Sequence, residues 1–385
     1  MRAPTAGGPG AEVTQAGELR SARIESLRAI AALGVLLGHQ FVVSRGLRFD
    51  TYWDRIAMGG GFGVDLFFAL TGYLLFWPFA RQWFGGGEHV NVRRYALNRA
   101  LRILPLYYVV VAVLLIVRED GGTPGQWWRF LTFTETFSHS TLLQVDGVVW
   151  SLVVELHFYV LLPLLAWGIA KLARGSIARA ATTLVALGGA SLLVQAAYVG
   201  FGSPRNEILA YALPARFYLF VPGMLLALVR CKAPSKLPRA DAWLLAAAAL
   251  WLVVVYDYEL APLAALPCFL VVGAAVLPLR AGPLVRALEW RPLALIGVAS
   301  YSLYLWHVPI LDALGGAYAK QLVLGTPICL AVAFVSYRLV EAPFLRLRRR
   351  WEGSRPRFAA ATPDRTASPL PAPAPLTAEP APRSP

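Results

Sequence analysis

Residues 26–43 read SLRAIAALGVLLGHQFVV. The run is apolar and long enough to cross a bilayer, yet it carries an arginine near one end and a histidine deep inside. Arg28 and His39 are eleven residues apart. At 100° per residue that is about 1,100°, about 20° past three full turns, so the two share one helix face about 16 Å apart. Charge facing lipid is costly, so this face is expected to look into protein or a wet cavity.

The whole chain supports a membrane setting. It has 385 residues, 57% hydrophobic and 15% charged, with a mean hydropathy of +0.55. Soluble domains carry about 25% charged residues, so an all-α, polytopic transmembrane bundle is expected. A net charge of +14 would suggest a nucleic-acid partner in a soluble protein. Here most Lys and Arg lie in short loops between apolar runs, so topology explains the charge without one. Cys231, Cys268 and Cys329 have no CxxC spacing and lie in or beside apolar runs. They are expected to be small core residues, neither disulfide partners nor metal ligands.

Ten apolar runs are expected to span, at about 24–44, 58–80, 101–117, 147–170, 180–200, 207–229, 241–256, 260–279, 292–314 and 320–345. Residues 1–20 lack an apolar signal-peptide core and are expected to be unstructured. The transmembrane domain covers 21–350, and the Pro/Ala-rich tail 351–385 is expected to be disordered. Alternate loops are arginine-rich. Arg93, Arg94, Arg99 and Arg102 lie on one side with Arg346, Arg348, Arg349 and Arg350, while the opposite loops hold far fewer. That asymmetry predicts both termini in the cytoplasm.

Rise-per-residue arithmetic then predicts a polar layer in the outer half. With each span starting at its membrane face, His39, Asp65, Glu155 and His307 fall at similar depth on four helices. A charge at the bilayer centre costs about 2.5–3.5 kcal/mol on insertion scales, so one shared site is more economical than four isolated charges. Neutral His39 would act as general base on an acceptor hydroxyl. Asp65 would orient its ring, while Glu155 and His307 position the acceptor or polarise a carbonyl. The alternative is four separate structural pairings. His157 points to another face and is expected to be structural, and His89 and His139 lie in loops.

A second cluster differs in kind. In NVRRYALNRALRILPLYY (91–108), Arg99 and Arg102 share a face at the start of the third span. The positive-inside rule accounts for Arg93 and Arg94; Arg99 and Arg102, joined by Arg28, predict a phosphate-binding patch, because guanidinium forks match phosphate oxygens.

These motifs together resemble the acyltransferase-3 family of membrane O-acyltransferases over about residues 22–346. Arg28-x10-His39, FGVDLFFALTGYLL (62–75), Arg99-x-x-Arg102, VVWSLVVELHFYVLLP (148–163), SYSLYLWHVP (300–309) and YRLVEAPF (337–344) occur in the family's order. The resemblance implies acyl transfer, commonly of acetyl, from cytoplasmic acyl-CoA to a hydroxyl of a carbohydrate, glycolipid or glycosylated metabolite. It assigns the catalytic histidine to His39 and acyl-CoA-binding arginines to Arg28, Arg99 and Arg102. Asp65, Glu155 and His307 enter as catalytic candidates, Thr71 and Glu341 as donor-binding ones. No metal and no permanently bound cofactor is expected, and the setting is a bacterial inner membrane. Thr71 stands where many members have Ser, so a hydroxyl remains. No esterase-like domain follows the last span, so functions of two-domain members are not carried over. A transporter or flippase is the competing expectation, because buried charges and Pro-interrupted spans suit one too.

Overall fold

A computed structural model describes residues 9–199, 206–232 and 239–353, with side chains within 21–348 of those ranges. The described regular structure is helical; two extended residues, Arg239 and Arg280, form an isolated bridge. Seven helices are long and apolar enough to cross a membrane: α1 Ser21–Arg45, α2 Tyr52–Phe84, α3 Val92–Arg118, α4 Val149–Ala173, α5 Ile177–Val199, α8 Tyr258–Val276 and α10 Tyr318–Arg348. Two bent pairs, α6 (Leu213–Leu219 with Val221–Cys231, 43°) and α9 (Arg291–Val298 with Ser300–Leu314, 70°), could each serve as one span. The shorter apolar helix α7 is Ala240–Tyr256. Each of the ten expected runs coincides with one of these elements, and the protein is an all-helical membrane bundle. The backbone of α1 is helical from Pro9, within the stretch expected to be unstructured. Residues 1–8 and the tail beyond 353 lie outside the described residues.

Close packing of α2 depends on glycine. A Cβ on Gly223 of α6 would collide with the Ala69 carbonyl and the Tyr73 amide of α2, and one on Gly72 with the Phe220 carbonyl. The two backbones therefore touch, as small residues allow where lipid gives helices no hydrophobic reason to associate. Phe220 stacks on Phe68 (4.7 Å between centroids) and Phe158 (4.1 Å), joining α2, α4 and α6. Gly223→Val should force these helices apart at a cost of about 1–3 kcal/mol or more. Thermal unfolding in detergent checks this; an unchanged midpoint would contradict the packing described.

Two local features set the depth of the functional residues. α2 is not one straight rod, because a short helix (Tyr52–Met58) and a 3₁₀ turn (Gly59–Phe62) precede Gly63. Gly60 lies against the Gly34 carbonyl and Gly63 against the Ala31 carbonyl, which fixes the level of α2 beside α1. The segment before α4 also folds into the bundle: Glu135, Thr136, Thr141, Asp146 and Val148 are all buried. Trp127 is part-buried and bonds the Gly121 carbonyl (2.8 Å), whereas Trp128 is exposed.

Candidate active site

Two elements, α1 and α9, meet at His39. Its Nδ1 lies 2.9 Å from the Val35 carbonyl one turn back and 3.3 Å from His307 Nε2 on α9. The rings are edge to face at 4.9 Å. His307 is buried, and its Nδ1 faces the carbonyls of Tyr304 (2.7 Å) and Leu303 (3.2 Å). Carbonyls only accept, so in the neutral pair His307 carries its proton on Nδ1 and keeps a lone pair on Nε2. His39 must then carry its proton on Nδ1, shared toward Val35 and His307. Its Nε2 lone pair is left free. A half-buried imidazole held in this tautomer can accept a proton, and the resulting cation keeps both acceptors on Nδ1.

Arg28 opens a cavity of about 370 Å³ toward the arginine-rich end. Arg28, Arg99, Arg102 and Arg348 line it, opposed by Glu25 and Glu155. Arg28 Nε donates to Ser300 Oγ (3.2 Å), which the bend of α9 presents, and lies 3.7 Å from Glu25. Thr71 Oγ1 donates to Glu155 Oε1 (2.5 Å). Arg99 Nε is buried and bonds nothing among the described residues. Arginines this close repel one another, so a polyanion would be favoured here.

The histidines and the cavity are neighbours. Tyr304 lines the cavity, while its carbonyl accepts from His307. Its hydroxyl lies 2.7 Å from Ser151 Oγ and donates to the Val148 carbonyl (3.2 Å). Tyr304 thus forms the wall between them. Neither it nor Ser151 was singled out from sequence, although Tyr304 sits three residues before His307 on the same face.

Of the four residues expected in one layer, only His39 and His307 meet. Gly63 abuts Ala31, eight residues before His39, and Asp65 lies two residues further inward, so it sits about 15 Å short of His39 along α1. It opens instead onto a separate cavity of about 210 Å³ with Trp150, Gln195, Arg216 and Tyr218, so it cannot orient the His39 ring. Glu155 belongs to the arginine cavity. α4 begins near the histidines' depth, and Glu155 is one turn further in, against Thr71. Thr71, Arg28, Arg99 and Arg102 line the cavity as a group. Glu341 does not: it is buried in a one-turn π-helix (Tyr337–Glu341) and accepts from Ser302 Oγ (2.5 Å). Ser336, 3.3 Å from Ser302, accepts from Trp306 Nε1 (3.0 Å). Glu341 is thus not a wall of the cavity.

An imidazole with a free ring nitrogen, next to a cavity lined by arginines in a membrane bundle, can take up a proton beside a bound anion. The chain belongs to the acyltransferase-3 family: its acyltransferase-domain model matches residues 21–338. The chain is similar to YrhL of Bacillus subtilis, whose name assigns it provisionally as a peptidoglycan O-acetyltransferase (28% identity over 361 residues, 83% of this chain and 54% of that protein). It is also similar to the peptidoglycan O-acetyltransferase OatA of Listeria monocytogenes (24% over 356 residues, 83% and 55%). The O-acetyltransferase OatA of Staphylococcus aureus shares 20% over 364 residues (83% and 56%). The chain therefore spans about half the length of the curated relatives it matches. No solved structure matches it. The family and the helices make it a multi-pass membrane member of the acyltransferase-3 family, whose members are not transporters by name.

Proposed function

We propose that the protein moves an acyl group, acetyl by analogy with its relatives, from cytoplasmic acyl-CoA to a carbohydrate hydroxyl on the outer side of the inner membrane. The observation that carries this reading is the contact of His39 Nδ1 with Val35 and His307, which leaves Nε2 free, beyond the Tyr304 wall of an arginine-lined cavity. The loop-charge asymmetry supports termini in the cytoplasm, which turns the arginine end toward soluble acyl-CoA. Arg28, Arg99 and Arg102 hold the donor's phosphates, and the pantetheine arm runs between the helices toward Tyr304. His39 Nε2 takes the proton of the acceptor hydroxyl as its oxygen attacks the thioester carbonyl. The tetrahedral intermediate then collapses, the C–S bond breaks, and the departing sulfur recovers the proton from His39. No enzyme nucleophile is needed.

His307 is a positioning residue in this scheme. His307→Phe keeps a ring but removes the acceptor for His39 Nδ1–H, so the imidazole is held by Val35 alone. We expect kcat to fall about tenfold or more, from a lost hydrogen bond of about 1.5 kcal/mol or more to a developing cation, with the donor KM unchanged. A KM change without a kcat change would contradict the role. The function itself is tested by acceptor-dependent release of free CoA thiol from acetyl-CoA by purified protein with peptidoglycan fragments. Release with O-acetylated product is expected; counterflow of substrate without thiol release would restore the transporter reading.

A further inference from the structure

A second cavity, of about 480 Å³, lies against the donor cavity on the side away from His39. The two share Leu74, Leu75 and Arg99 as lining. From α2 the second cavity takes Arg81, from α3 Arg94, Tyr95 and Arg99, and from the loop between them Glu88 and His89. We infer that this cavity is the subsite for the nucleotide half of the donor, an adenosine 3′,5′-bisphosphate, so that the enzyme selects a free nucleotide thioester over a phosphopantetheine carried on a protein. The inference rests on the acyl-CoA reading above.

Three observations support it. Arg99 stands at the junction, and its buried Nε bonds nothing among the described residues, which suits a pyrophosphate that must pass from one cavity to the other. The start of α3 holds Arg93, Arg94, Arg99 and Arg102, with no acidic residue in its first turn. Of these, Arg93 and Arg94 lie in the first turn and oppose the helix dipole, an effect that a bound anion offsets. The positive-inside rule explains basic residues at this membrane face but not their convergence from two helices on one concavity. The loop is also shaped for the purpose. Gly85 and Gly87 amides both donate to the Arg81 carbonyl (2.9 and 2.8 Å), Gly86 takes φ of +65°, and the Val90 amide donates to Gln82 Oε1 (2.7 Å). That folded turn carries Glu88 and His89 to the cavity wall, where a carboxylate can accept from an adenine amino group. Tyr95, beside them, offers an aromatic face.

The test compares two donors, acetyl-CoA and acetyl-4′-phosphopantetheine, in thiol release by the full chain. The wild-type KM should be at least tenfold lower for acetyl-CoA. Arg81→Ala with Arg94→Ala should raise the KM for acetyl-CoA about tenfold or more and leave that for acetyl-phosphopantetheine unchanged. Equal wild-type KM values, which need no variant, would overturn the subsite while leaving the donor reading intact. So would a double variant that shifts both donors alike. Wild-type protein that uses neither donor would overturn the acyl-CoA reading and the subsite with it.

Discussion

His39→Ala is expected to reduce acyl transfer by about 10²–10⁴-fold, the range a positioned general base supplies. The structure explains why nothing nearby should substitute. His307 is the other imidazole at the site, but its Nδ1 is committed to two backbone carbonyls and its Nε2 faces His39. Asp65 opens onto a different cavity, and Glu155 is held by Thr71 toward the arginine end. His39→Gln makes a sharper variant, since an amide preserves size and polarity but cannot take the proton. Initial rates of thiol release at saturating acetyl-CoA measure the loss. Activity within threefold of wild type would remove His39 from the chemistry.

Arg99→Ala and Arg102→Ala form the second large prediction. A hydrogen bond to a charged partner contributes about 1.5–3 kcal/mol, so each should weaken donor binding by about 10- to 150-fold. The effects should not add, because both side chains face one ligand. Arg99 is the more informative of the two. Its buried Nε has no partner among the described residues, so its loss should cost donor affinity far more than stability. Lysine should rescue only in part, since a point charge cannot reproduce the guanidinium fork. An unchanged donor KM in both alanine variants would contradict a phosphate role for this cavity.

Sequence spacing relates those residues whose signal is local. Arg28 and His39 share a helix, so spacing alone relates them; Arg99 and Arg102 are one turn apart on another. Ten apolar runs stand out because lipid demands long apolar helices, and each has its element in the fold. Asp65 and Glu155 were misplaced for a common reason: depth was counted from where hydropathy rises. The 3₁₀ turn at Gly59–Phe62 and the glycine contacts with α1 lower Asp65 away from His39. The buried segment around Asp146 and Val148 starts α4 near the histidines' depth, carrying Glu155 past them. Hydropathy cannot register a loop that enters a bundle. Ser300 is likewise invisible as a partner of Arg28, because hydropathy does not register the 70° bend that presents it.

The central claim is that α1 divides its labour, with donor binding at Arg28 and proton transfer at His39. Titration calorimetry of CoA into wild-type protein, His39→Ala and the Arg99→Ala/Arg102→Ala pair tests it directly. The account predicts that His39→Ala binds CoA within about twofold of wild type although it no longer transfers acyl groups, while the arginine pair loses most of its affinity. Equal loss of CoA binding in His39→Ala and in the arginine pair would contradict it.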